Sequence, residues 1–252
     1  MIYVVYKYKV KKIHERKDKM SNSKLSGLAL LLPVPAMVLW FIYGGAVLDG
    51  VGPDKPAEYI AALGANAAAA KYIMCIATLM FLTAMGALGY IKKTMEGGPG
   101  HHIASFAWFL IIIGAAGQIG ETALTIAVAE AAESAVAAGT AAAAAAAAGA
   151  DATAAMTAAA TSSSVASSMY AGAQSIGAVG TGFAMIGFIL FGLGIFQQKN
   201  FSPIIAGLIA ISGIFTLIMC LIDYENQLIG IGFIGVTLSF ASLGVSLLRS
   251  KE

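Results

Sequence analysis

Apolar residues in this chain fall into six blocks, near 25–48, 69–91, 103–129, 168–197, 202–222 and 227–248. Each block is long enough to cross a hydrocarbon layer of roughly 30 Å as a helix rising about 1.5 Å per residue. Leu, Ile, Ala, Phe, Met and Gly dominate the interiors, and all are inexpensive to leave in lipid. The short alternating segments of a membrane barrel are absent, and a backbone in lipid must satisfy its own polar groups. The pattern therefore predicts an all-α polytopic membrane protein, with six transmembrane helices in one bundle.

The polar residues between the blocks are sorted by side. Lys7, Lys9, Lys11, Lys12, Arg16, Lys17, Lys19 and Lys24 precede the first block; Lys92 and Lys93 join the second to the third; Lys199 joins the fourth to the fifth; Arg249 and Lys251 follow the sixth. Only Lys55 and Lys71 fall on the other side. Basic flanks are retained in the cytoplasm during insertion. This predicts a plasma-membrane protein with both termini inside. The acids Asp49, Asp54, Glu58, Glu130, Glu133, Asp151, Asp223 and Glu225 map outside, which gives that mouth of the bundle a negative character.

Composition agrees. Of 252 residues, 59% are hydrophobic and 11% charged, against about a quarter charged in a soluble domain. The organisation expected is a basic cytoplasmic tail over 1–24, a membrane domain over 25–248 and a cytoplasmic tail over 249–252. The tail lacks the apolar core and small-residue cleavage site of a signal peptide. It reads as a segment drawn to anionic lipid, as an inside anchor, or as an extension ahead of a start at Met20. Within the membrane domain, residues 131–167 form a low-complexity outer loop of Ala, Ser, Thr and Gly. Alanine favours helix, so a helical cap or a mobile loop is expected there. The run Ala141–Ala148 is too short for a seventh span.

Small residues let helices approach closely in lipid. Gly114, Gly117 and Gly120 recur on the third span, Ala173, Gly177 and Thr181 on the fourth, and Gly235 and Ser239 on the sixth. Internal packing is the first reading of these stripes and homodimerisation the second. Pro33 and Pro35 predict a packing kink in the first span. Cys75 and Cys220 read as small apolar fillers, with a disulfide as the minor alternative. His101 and His102 point about 100° apart on a helix and make poor joint ligands, so no metal or cofactor is expected. Tyr43, Tyr59, Tyr72, Tyr90, Tyr170, Trp40 and Trp108 fit interfacial belts. No phosphate loop, dinucleotide fingerprint or hydrolase motif occurs, and nucleic-acid binding has no support beyond the basic tail.

One residue stands out. Glu121 is the only acid well inside a predicted span, and such carboxylates are functional candidates by default. Eighteen residues from Ile103 put it about 27 Å along the helix, in the outer third of the membrane. Lys71, at the start of the second span, is its expected partner, with Gln118 one turn below it. Glu121 is then either an anchor between the second and third helices, or part of an outward polar site with Gln118, Lys71, Asp49 and Asp223.

Val47-Leu48-Asp49, Glu58-Tyr59-Ile60, Asn66, the small residues leading to Glu121, the long outer segment and the Gly-rich fourth span together form a recognisable order. Over roughly residues 25–248 the chain resembles a group of six-helix prokaryotic membrane proteins catalogued only as a domain of unknown function. The resemblance implies fold and membrane location, with no activity attached. It also implies that Asp49, Tyr59, Asn66 and Glu121 are the positions to test first. The reading that follows is a non-enzymatic protein that binds or senses a small molecule or cation, or engages a partner helix, through a polar pocket around Glu121. A transporter or permease subunit, a structural or assembly subunit, and an intramembrane enzyme using Glu121 with Lys71 or Asp49 stay open. The bilayer is the first partner; a second copy or a membrane complex is the next.

Overall fold

A computed structural model describes residues 21–250, and these residues are helical almost throughout. The tail before residue 21, with the choice between Met1 and Met20, lies outside the described residues, as does Lys251. The elements are α1 (Asn22–Ala29), α2 (Pro33–Ile42), a π-helical turn (Tyr43–Val47), α3 (Pro56–Ala65), α4 (Ala67–Lys93), α5 (His101–Ala147), α6 (Thr153–Gln198), α7 (Pro203–Ile222) and α8 (Ile229–Arg249). Among the described residues six helical stretches are long and apolar enough to cross a membrane, with α1, α2 and the π turn counting as one.

Proline sets the break in the first span. Residues 30–32 tighten into i→i+3 bonds (Leu31 to Leu28, Leu32 to Ala29), and Pro33 opens α2 at a position where its missing N–H costs nothing. The π turn widens the end of this span over Gly44 and Gly45. Asn66 donates to the Val47 carbonyl at 3.0 Å, satisfying a backbone acceptor that the helix leaves unpaired. The short helix α3 is not visible in the hydrophobic pattern. It lies on α5, where a Cβ at Gly64 would meet the Ala132 backbone at 2.8 Å.

The alanine-rich segment 131–167 is helix rather than loop. α5 runs unbroken to Ala147 and α6 starts at Thr153, so the connection shrinks to 148–152. Gly149 takes the left-handed conformation there, at φ +69°. Asp151 accepts from the Thr153 backbone N–H at 2.8 Å, and its bonds to Thr153 hold its carboxyl below the usual range. The 47 residues of α5 measure about 70 Å, more than twice a hydrocarbon core. The α5–α6 pair therefore continues well past the other helices as a two-helix hairpin.

Hydrogen bonds group the connections into two ends. At one end Gly100 N–H donates to Gln198 Oε1 (3.2 Å), Asn200 Nδ2 donates to Thr94 Oγ1 (3.1 Å) and Ser23 Oγ donates to the Leu247 carbonyl (3.4 Å). Lys24, Lys92, Lys93, Lys199 and Arg249 belong to this basic end. At the other, Tyr170 on α6 donates to the Pro53 carbonyl at 2.8 Å.

The small-residue stripes are spent on internal contacts. Gly114 meets Ala184 and the Gly180 carbonyl, Gly117 meets the Gly180 Cα, and Gly235 meets Ser212. Cys75 and Cys220 are free thiols, and Cys220 donates to the Ala178 carbonyl at 3.1 Å.

The buried core is in two parts. One, towards the basic end, contains Leu88, Ile91, Ile111, Phe188, Phe191 and Phe240. The other, towards the hairpin, contains Tyr43, Leu63, Met74, Val128, Ala166 and Tyr170. Glu121 lies in the interval between them.

Candidate functional site

Between the two cores α4, α5 and α6 turn polar residues inward, and the α7–α8 loop adds one more. Thr78 and Thr122 join α4 to α5 through a 3.0 Å hydroxyl pair. Three residues before Glu121 on the same helix, a spacing that brings side chains together, Gln118 donates to the Glu121 carboxylate at 3.2 Å and to Thr181 Oγ1 at 2.9 Å. Tyr224, in the loop after α7, donates to both carboxylate oxygens, at 3.1 and 3.0 Å. Its hydroxyl is also 3.3 Å from Thr181 Oγ1, which closes the ring of partners. Thr125 returns its hydroxyl to the Glu121 carbonyl at 2.9 Å.

Gly177 makes room for the acid. A Cβ there would overlap the Glu121 carboxyl group, so the head of Glu121 lies against bare α6 backbone. Thr181, one turn further on α6, is 1% exposed. Burial, reinforced by the neighbouring carboxylate, pushes the Tyr224 phenol well above its ordinary range. It therefore stays a neutral donor across physiological pH. Its hydrogen bonds hold the loop to α5 and, through Thr181, to α6.

A second group adjoins this layer. Tyr43 and Tyr59 share a 3.1 Å hydroxyl pair, and the rings of Tyr59 and Tyr170 stand 5.5 Å apart. All three are buried, at 2%, 9% and 5% exposure, which removes them from the interfacial belt expected of them. Tyr72, by contrast, is 69% exposed, as an interfacial residue would be.

The expected Glu121–Lys71 pair is not formed. Lys71 Nζ is 2.6 Å from Glu130 Oε1, with both side chains half-exposed. Helix register explains it. α4 and α5 are antiparallel, and the Thr78–Thr122 bond fixes their alignment. Lys71 precedes Thr78 by seven residues (78 − 71) and Glu130 follows Thr122 by eight (130 − 122), so the two meet about 13 Å from the Glu121 level.

The structure thus brings Glu121 and Gln118 together and leaves Lys71 apart. Asp49 and Asp223 are exposed and make no side-chain bond to the Glu121 group; Asp223 instead accepts from the Glu225 N–H at 3.1 Å. Tyr59 sits in the adjoining tyrosine group, and Asn66 serves the π turn. Sequence reasoning missed Tyr224 and did not see Thr181 as a ligand of this layer. The only available signals were a four-residue stripe containing Thr181 and an aromatic beside a span end. Among the described residues no three His, Cys, Asp or Glu side chains converge as a metal site.

Comparison with family models, with curated proteins and with solved structures finds no match to this chain.

Proposed function

We propose that this is a non-enzymatic multi-pass protein of a prokaryotic plasma membrane that binds or senses a small cation at the Glu121 layer, from the outer face. The observation that carries the reading is the Tyr224–Glu121 contact. It ties a connecting loop to a carboxylate set between two apolar cores. Glu121, Thr181, Tyr224 and the Gln118 amide oxygen make an all-oxygen set suited to a hard monovalent ion or an ammonium group. An arriving cation would take the carboxylate from Tyr224 and loosen the loop. The outward direction follows from the basic flanks, and membership in the resembled uncharacterised family is part of the same proposal.

The test is thermal unfolding of the protein in lipid nanodiscs with Na+, K+, Mg2+ or ammonium. A rise in Tm with one of them, absent in Glu121→Gln, supports the site. A flat response to all four removes it.

A structural reading is favoured by one specific fact. Both carboxylate oxygens already accept from protein donors. In that case Glu121 is an anchor that fixes α5 to α6 and the α7–α8 loop. Glu121→Gln would then unfold earlier than the parent whatever cation is present.

A further inference from the structure

The basic end of the bundle holds a second polar feature, separate from the Glu121 layer. A cavity of about 470 Å³ opens among the start of α1, the end of α4, the α6–α7 connection and the end of α8. That volume is within the range of about 300–1,000 Å³ usual for small-molecule sites. Tyr90, Phe201 and Leu247 supply its apolar walls; Ser23, Thr94, Ser202, Ser246 and Ser250 supply hydroxyls; Lys199 and Asn200 supply nitrogen donors. Among the described residues no carboxylate lines it.

Thr94, Ser246 and Ser250 give their protons to the Ile91, Ser242 and Leu247 carbonyls, but among the described residues three other donors keep capacity for an incoming acceptor. Ser202 Oγ accepts from the Ile204 N–H at 3.3 Å, which leaves its own proton to give away. Asn200 spends one amide proton on Thr94 at 3.1 Å and keeps the other. Ser23 reaches Ser250 and the Leu247 carbonyl only at 3.4 Å, the long limit of a hydroxyl bond. Among the described residues no acid lies within ion-pair distance of Lys199. The α7 N-terminus, with Ser202 as its cap, adds partial positive charge to the same wall.

Lys199 itself is the most telling residue. It closes α6 in the left-handed conformation at φ +59°, a place where glycine or asparagine is the usual occupant. A β-carbon is strained there, and Asn200 is the next residue in the chain. The sequence nonetheless puts the ammonium-bearing side chain at the strained position, and that side chain lines the cavity.

We propose that this cavity binds a phosphate group carried by a small ester, with Lys199 as the charged ligand and Asn200, Ser202 and Ser23 as hydrogen-bond donors. The chemistry is shared by the headgroup of an anionic phospholipid and by a soluble phosphate ester. Position favours the headgroup. The cavity lies where five membrane-crossing helices begin or end, and its apolar walls would take the glycerol region of a lipid.

The decisive variant is Lys199→Gly. It removes the ammonium and relieves the backbone strain together, so the variant folds at least as well as the parent. Lys93→Gln, elsewhere on the same end, controls for loss of general positive charge. Binding is read by Tm shift and by native mass spectrometry in three settings: nanodiscs containing phosphatidylglycerol, phosphatidylcholine nanodiscs alone, and phosphatidylcholine nanodiscs with added glycerol phosphate. A shift with phosphatidylglycerol that weakens about tenfold or more in Lys199→Gly but not in Lys93→Gln supports the site, with lipid as its source; the factor is that expected from losing one charge-assisted bond. The same pattern with glycerol phosphate supports it with a soluble source. The proposal is overturned if neither probe shifts the parent, if Lys199→Gly responds like the parent, or if Lys93→Gln loses as much as Lys199→Gly.

Discussion

At the scale of single residues, the Glu121 group separates a carboxylate's charge from its shape. Tyr224→Phe keeps the ring and removes the donor to both oxygens. It should lower stability by about 1–3 kcal/mol, the usual cost of leaving a desolvated acceptor short of a partner, seen as a lower Tm in a fixed detergent. Gly177→Ala should cost a similar amount for a different reason, because the new methyl overlaps the Glu121 head. The two causes can be told apart by a cycle. In a Glu121→Ala background the Gly177→Ala penalty should largely vanish, and additive penalties would show that the overlap is absorbed elsewhere. Lys71→Ala should leave Tm close to that of the parent, because both Lys71 and its partner Glu130 are half-exposed. Glu121 is conspicuous in the sequence because it is an acid in an apolar block. Its partners are not. Tyr224 is 103 residues away in a connecting loop, and nothing in a span-by-span reading aligns that loop with the third helix. Lys71 was chosen by apparent depth alone. Depth read from one helix has no register with its neighbour until a cross-bond such as Thr78–Thr122 fixes it.

At the scale of elements, the six spans and the close-contact role of their glycines follow from composition, but the helix ends do not. Hydropathy stops reporting helix where alanine replaces leucine. Residues 131–147 and 153–167 therefore read as either a helical cap or a mobile loop, although alanine is the strongest helix former and no proline interrupts either segment. Conversely, the first span is continuous in hydropathy but broken in geometry, because Pro33 acts on the backbone and not on polarity. The α5–α6 seam gives a sharp contrast between two glycines of one helix. A Cβ at Gly180 would meet the Gly117 Cα at 2.8 Å, whereas one at Gly182 meets nothing within 4 Å. Gly180→Ala should cost about 1–3 kcal/mol through forced separation of the helices. Gly182→Ala should be neutral or stabilise by up to about 1 kcal/mol through helix propensity. Parallel melts of the two variants measure the difference. Equal Tm values would mean that the seam is looser than these contacts require.

At the scale of the whole molecule, one vector decides the meaning of every site: the direction of the α5–α6 hairpin relative to the cell. The structure gathers Lys24, Lys92, Lys93, Lys199 and Arg249 at one end and carries the hairpin tip away from them at the other. On the orientation proposed above, retention of basic flanks would put the tip outside, the Glu121 layer nearer the outer face and the Lys199 cavity at the inner leaflet. Impermeant labelling tests this in intact cells. Cys75 and Cys220 would first be changed to Ala, each a small partly buried side chain whose loss the bundle should tolerate. A single cysteine at Ala150, beside the left-handed Gly149, should then react with a membrane-impermeant maleimide from outside. One at Lys93 should react only after lysis. The reverse result would move the Glu121 layer to the cytoplasmic half and expose the Lys199 cavity to the outer leaflet, ending the outward-facing reading while leaving the phosphate chemistry of the cavity intact. Reaction of both positions from outside would be more serious, because the helix count between them is fixed at one: the only span separating residue 93 from residue 150 is α5. That outcome would mean α5 does not cross the bilayer, and a carboxylate set between two apolar cores would have lost its membrane.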